Sequence, residues 1–339
     1  MIFKQIWKMH LKKSFLLPTT IPLFTLAFVL IAVVADAQEV IPRDTSFTVY
    51  SAFVKERKKY PFIETVRPEL PKGVLAKENV VYSSIGQRHL HADVFYPAKK
   101  TKLRYPAVLL IFGGGWKSGD KSMSIPMAQR LAAEGYVAVA VEYRLSPEAK
   151  YPAAVHDIKA AIRWMRANAQ KYNIDKTKIA VHGVSAGGQL AALVGATNSI
   201  KKFEGNGGNS KQSSWVNAIM DIDGILAFKH PESAEGQVAA EWLGGTYEQK
   251  PQVWEEASAL THAGKNTPPI IFIQSQYPRF TAGYKEMITK LNKYGIYSEV
   301  HTVPDTPHPF WLFHPWFEPT MKYTLNFLNK VFKEQHNKL

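Results

Sequence analysis

Short apolar runs alternate with segments of helical spacing along most of the chain. Asn79–Tyr82 is β-prone, and His89–Tyr96 alternates apolar and polar positions. Two strands are expected there, with Ile85-Gly86-Gln87 turning between them. Pro106–Phe112 and Val137–Val141 are apolar without a break, as strands buried on both faces of a sheet require. Between them Met123–Glu134 has helical spacing. Pro152–Tyr172 then reads as one long helix, with Ile158, Ala161, Ile162 and Met165 on one face. Lys178–Val181 is a further strand, and Gln189–Ala196 is rich in helix formers. Val216–Gly224, Pro269–Ile273 and Tyr297–Val303 complete the strands; Tyr284–Tyr294 and Tyr323–Phe332 read as helices. Ser199–Ser214 is a polar loop, and residues 225–266 form an excursion read as a partial lid or side wall. This order predicts an α/β fold: a mostly parallel sheet covered by helices on both faces, with a small insertion after the sixth strand.

The N-terminus departs from the pattern. Lys4, Lys8, Lys12 and Lys13 precede an apolar run from Ile21 to Val34, followed by Ala35-Asp36-Ala37. That is the layout of a signal peptide over residues 1–37, cleaved after Ala37. The run is short of the ~20 residues of a membrane span; an uncleaved anchor is the alternative, and no stable membrane insertion is expected after cleavage. Residues 38–75 are polar and carry Pro42, Pro61, Pro68 and Pro71. They read as an extension lying on the domain, with Phe47, Val49, Tyr50 and Phe53 available to pack on it. The catalytic domain is expected over residues 76–339.

Composition narrows the picture further. The 339 residues are 46% hydrophobic and 21% charged, an ordinary globular balance. The absence of cysteine excludes disulfides and lipidation at a cysteine. The formal charge is +14, and loss of four lysines and Asp36 with the leader would leave +11. A positive field favours anionic partners. No basic arm with interleaved aromatics points to nucleic acid, so an acidic polysaccharide fits better; a surface that only aids solubility fits as well.

Candidate chemistry centres on Gly183-Val184-Ser185-Ala186-Gly187, between a strand and a helix. A serine on so tight a turn projects its hydroxyl from the top of a sheet. Alone, the pattern could equally be a Gly-rich turn. Acyl transfer also needs a base and N–H donors for the oxyanion. His308, just after the last strand, is the candidate base, with His301 and His314 as rivals. The donors are expected from the backbone of Ala186, Gly114 and Gly115. Asp223, at the end of its strand, is the candidate acid. Asp221 lies two residues back and deeper, and Asp305 only three residues from His308. Trp116 and Trp311 offer stacking faces for sugar rings, as do Tyr277 and Phe280, although core packing accounts for all four equally well.

Four segments together resemble the α/β-hydrolase superfamily: Phe112-Gly113-Gly114-Gly115-Trp116 through Asp120, Glu142-Tyr143-Arg144-Leu145-Ser146, Tyr151 through Asp157, and Gly183 through Gly188. Within it they look like the acetyl-esterase and feruloyl-esterase-like carbohydrate esterases related to hormone-sensitive lipase. Gly295 through Trp311 resembles secreted bacterial esterases of pectin-degrading systems. The resemblance implies Ser185 and His308 as nucleophile and base, Gly114, Gly115 and Ala186 as the oxyanion hole, and structural roles for Arg144 and Asp157. Two departures stand out. Phe112 occupies a position where the family usually has His. The turn after Pro269–Ile273, where the family has its acid, reads Gln274-Ser275-Gln276-Tyr277-Pro278-Arg279, without a carboxylate. Arg279 there invites a pairing with a substrate carboxylate such as that of galacturonate; a solvent-facing Arg is the alternative.

The expected activity is that of a secreted or periplasmic serine esterase removing acetyl groups from pectin or xylan, with no metal or organic cofactor. The alternatives are a pectin methylesterase or feruloyl esterase, a peptidase or amidase on the same fold, and a carbohydrate-binding protein that has lost catalysis with its acid.

Overall fold

The computed structural model describes residues 44–99, 101–198 and 200–332. The expected leader over 1–37 lies outside the described residues. Ten strands follow in chain order: β1 (Glu64–Thr65), β2 (Val74–Ile85), β3 (Arg88–Pro97), β4 (Tyr105–Ile111), β5 (Val137–Val141), β6 (Ile174–Val184), β7 (Ala218–Ile222), β8 (Ile270–Gln274), β9 (Ser298–Thr302) and β10 (Phe313–His314). Eight of them form one sheet in the order β2-β3-β5-β4-β6-β7-β8-β9. β2/β3 and β3/β5 pair antiparallel, and the remaining pairs are parallel. Helices cover both faces in the α/β-hydrolase arrangement.

The apolar runs occupy the centre. Every residue of β5, β7 and β8 is buried, which is why these strands show no alternation. β3 is the transition: Leu90 and Ala92 are buried, while His89 and His91 reach Ser84 and Glu142 on the outer side. The chain reverses its order across the sheet around β4, so the crevice beyond the carboxyl ends of β4 and β6 is the topological switch point. Gly113–Gly115 and Ser185 lie at those two ends.

Four elements differ from the sequence expectation. The helix over Pro152–Tyr172 is broken: it runs Ala153–Ala167 and is followed by a single turn, Ala169–Tyr172. The break falls at Asn168, whose backbone N–H and side-chain amide both donate to Trp164 O, at 2.9 and 3.0 Å. β6 then begins at Ile174, four residues earlier than the apolar run alone indicates.

The extension contains a helix, Val49–Glu56, that its polar composition hides. Thr48 and Ser51 cap it reciprocally, each side chain accepting the other's backbone N–H at 2.9 Å. Phe53 packs on Phe313, and Tyr60 meets Trp316 edge-on at 5.3 Å. β1 pairs with β10. The segment thereby braces the stretch that immediately follows His308.

The excursion after β7 is also more structured than expected. It holds helices Gly236–Leu243 and Pro251–Ala257, which bury their Trp242 and Trp254 side chains.

Candidate active site

Ser185 sits where β6 turns into the helix Ala186–Ala196, in the left-handed region at φ 53°. A non-glycine residue there costs on the order of 1–3 kcal/mol and persists only where the surroundings over-determine it. They do so here. A methyl group on Gly183 would run into the carbonyl of Gly187, and one on Gly187 into that of Ile111. Strand and helix therefore approach so closely that the serine is forced outward. Its N–H is held by Ile222 O at 2.8 Å, tying the turn to β7.

The serine does not stand alone. Ser185 Oγ lies 2.8 Å from His308 Nε2, and His308 Nδ1 lies 2.9 Å from Asp223 Oδ2. Asp223 follows β7, is 2% exposed and has φ 50°. Its other oxygen accepts the N–H of Ser275 at 2.7 Å. Because Asp223 accepts at Nδ1–H, the lone pair of Nε2 faces the serine and Ser185 donates to it. Ser275 belongs to the turn after β8 where a carboxylate was missing from the sequence; that turn supplies a backbone donor instead. The next residue, Gln276, grips the loop bearing His308: its amide donates to Thr306 O at 3.0 Å and accepts from Thr306 N at 3.2 Å.

The rival residues lie elsewhere. His301 stacks on Tyr323 and pairs with Glu299, and His314 is part of β10. Asp305 is exposed on the loop. Asp221 is buried and accepts from Gly224 N at 2.8 Å; burial pushes its carboxyl well above the usual carboxylate range.

The glycine triplet forms a tight turn after β4. Gly114 has φ 132° and Gly115 φ 59°, and Gly114 O accepts from Ser118 N at 3.0 Å. Among the described residues no protein acceptor takes the N–H of Gly114, Gly115 or Ala186. Gly115, Ala186 and Ser185 line one cavity of about 20 Å³, together with Ile225, Glu235 and Phe280. Phe112, in place of the family's His, stacks on Tyr143 at 4.4 Å and is buried. It belongs to the core rather than to the cavity.

Trp116 edges the same cavity but is 2% exposed. Its indole N–H donates to Gln189 at 2.9 Å, and its face is covered by Trp242. Trp311 is likewise buried, edge-on to His308. Neither offers an open stacking face. Arg279 pairs with Glu235 at 3.3 Å, with about half of its side chain exposed. Glu235, Ser275 and Gln276 carry no sequence signal, because each acts through a contact far along the chain. Beyond Glu235 opens a second cavity of about 770 Å³, walled by Phe228, Tyr247 and Trp254.

Arg144 and Asp157 form a two-pronged ion pair, with contacts of 2.8 and 2.9 Å, that fixes the loop after β5. Among the described residues no cluster of metal-ligating side chains occurs, and no helix is long and apolar enough to cross a membrane.

The family model described as BD-FAE matches residues 92–279. Esterase LipC of Mycobacterium tuberculosis is 33% identical over 176 residues, 50% of this chain and 43% of that protein. The chain spans about half the length of the curated relatives it matches. Among solved structures, the propionate-bound thermophilic esterase Est2 of Thermogutta terrifontis is 27% identical, with a TM-score of 0.64 over 79% of this chain and 98% of that one. The bifunctional GH43-CE protein of Bacteroides eggerthii is 27% identical, with a TM-score of 0.66 over 76% of this chain and 38% of that one.

Proposed function

The chain belongs to the BD-FAE family, and on that premise we propose that it is a secreted or periplasmic serine esterase that removes acetyl groups from plant cell-wall polysaccharide, pectin or xylan. The observation that carries the reading is the continuous relay from Ser185 through His308 to Asp223.

In this reading Ser185 Oγ attacks the ester carbonyl as His308 Nε2 takes its proton. Asp223 holds the imidazole in the required tautomer and stabilises the imidazolium that forms. The N–H groups of Gly114, Gly115 and Ala186 receive the oxyanion, at the positive end of the helix Ala186–Ala196. His308 then protonates the departing alcohol, and water releases acetate from the acyl-enzyme. Residues 76–339 form the catalytic domain, with 38–75 as its extension.

The acetyl group rests on the sequence resemblance, and the space beside Ser185, about 20 Å³ and partly open to solvent, is small. The polysaccharide partner rests on the sequence resemblance and the net positive charge. A second reading, an aromatic acyl ester of the feruloyl type, is favoured by the aromatic-walled 770 Å³ cavity beyond Glu235.

The test is acetate and methanol release from acetylated, methylated pectin and from acetylated xylan, with Ser185→Ala beside the wild type. Acetate release lost in the variant is expected. Methanol release would reassign the ester, and polymer binding without release of either would make this a binding protein.

A further inference from the structure

His308 is held at more places than its two hydrogen bonds. The ring of Phe280 lies flat on the imidazole, with centroids 3.4 Å apart and planes 12° apart. Aromatic pairs usually sit offset at ~4.5–7 Å, so this overlap fills the space into which the imidazole would turn. Trp311 meets the imidazole edge-on at 5.2 Å. Phe280 is itself backed. The Arg279 guanidinium lies 4.5 Å from its ring centroid, and Glu235 holds that guanidinium at 3.3 Å.

We propose that Phe280 is a positioning residue that fixes the plane of His308 during the second half of the reaction, with the Arg279–Glu235 pair as its support. The inference rests on the esterase reading above. The torsion that sets a histidine ring plane is intrinsically broad, so external contacts must define it. In the resting enzyme Asp223 and Ser185 do so from the two nitrogens.

Acylation removes one of these contacts. The serine proton passes through Nε2 to the departing alcohol, the ester C–O bond breaks, and Ser185 Oγ becomes bonded to the acyl carbon without a proton to donate. Of the two hydrogen bonds only that to Asp223 remains, and it alone would leave the ring free to pivot. Deacylation nevertheless needs Nε2 aimed at a water. That water gives a proton to Nε2 as its oxygen bonds the acyl carbon, and the proton then returns to Ser185 Oγ as the acyl bond breaks. The Phe280 face blocks the pivot at this stage, so Phe280 serves deacylation more than acylation.

Steady-state and stopped-flow hydrolysis of p-nitrophenyl acetate tests this, with wild type, Phe280→Ala, Phe280→Leu, Phe280→Tyr and Ser185→Ala. For Phe280→Ala the expected result is a kcat lower by roughly tenfold, with KM falling alongside it and kcat/KM within about threefold. A burst of p-nitrophenol should appear as acyl-enzyme accumulates. Phe280→Leu, which keeps apolar bulk without a flat face, should behave the same way, and Phe280→Tyr should restore wild-type kinetics. A kcat/KM that falls as far as kcat without a burst would overturn the proposal, as would wild-type turnover in Phe280→Ala. If Ser185→Ala hydrolyses the ester as fast as wild type, the esterase reading itself fails, so the two failures are distinct.

Discussion

His308 Nδ1 and Asp223 Oδ2 lie 2.9 Å apart although 85 residues separate them in the chain. The carboxylate that meets the imidazole therefore comes from the end of β7, one strand earlier than the turn where the resemblance places the acid. Asp223→Asn is expected to lose about 10³–10⁴ in kcat on a simple acetyl ester, because the imidazole then takes the wrong tautomer. Asp305→Ala should stay within about threefold, since Asp305 is exposed and Asp223 occupies Nδ1 of His308.

Gln276 occupies the turn that lacks the carboxylate and clamps Thr306, two residues before His308, through both ends of its amide. Gln276→Ala should lower kcat by roughly tenfold through a looser base loop, with KM little changed and the thermal midpoint within a few degrees of wild type. Steady-state kinetics on p-nitrophenyl acetate read this directly; an unchanged kcat would remove Gln276 from the support of His308.

The elbow tolerates no side chain at Gly183. Gly183→Ala puts a methyl group into the Gly187 carbonyl, with backbone on both sides and nothing flexible to yield. A loss of about 3 kcal/mol or more in unfolding free energy is expected, read as a fall in the urea midpoint. A variant as stable as wild type would show that the turn can open.

His182, on β6 beside the elbow, is fully buried, and burial pushes its imidazole down to about 4. The folded value is depressed below the unfolded one, so the folded state refuses a proton that the unfolded state accepts. The stability this contributes is complete above pH ~6.5, is lost as pH falls, and levels off below about 4. Between pH 7 and pH 5 the wild type should lose on the order of 2 kcal/mol more than His182→Leu. Urea unfolding at the two pH values measures the difference; equal losses would mean that His182 does not control the acid limb.

The sequence was most informative where one residue type has one physical use. Continuous apolar runs marked β4, β5 and β8, because strands buried on both faces need no polar positions. Gly183 and Gly187 marked the elbow, because only glycine fits between a strand and a helix in contact. Asp223 was legible as a carboxylate closing a strand, and His308 as the histidine after the last one. The contacts around them were not. Ser275 acts through its backbone, Gln276 through a loop 30 residues away, and Glu235 through Arg279, and none of these leaves a local pattern. The helix Val49–Glu56 was hidden because its stability comes from the reciprocal Thr48–Ser51 cap and from packing on the segment after His308. Trp116 and Trp311 are buried, and no local pattern distinguishes a buried tryptophan from an exposed platform.

Ser185, His308 and Asp223 are expected to act as one acyl-transfer unit. The most direct test is kcat for p-nitrophenyl acetate in wild type, Ser185→Ala, Asp223→Asn and the double variant. Members of one unit are strongly non-additive, so the double variant should be no slower than Ser185→Ala within about threefold, while each single variant loses at least about 10³. Asp223→Asn retaining activity within about threefold of wild type, or losses that multiply in the double variant, would contradict the relay.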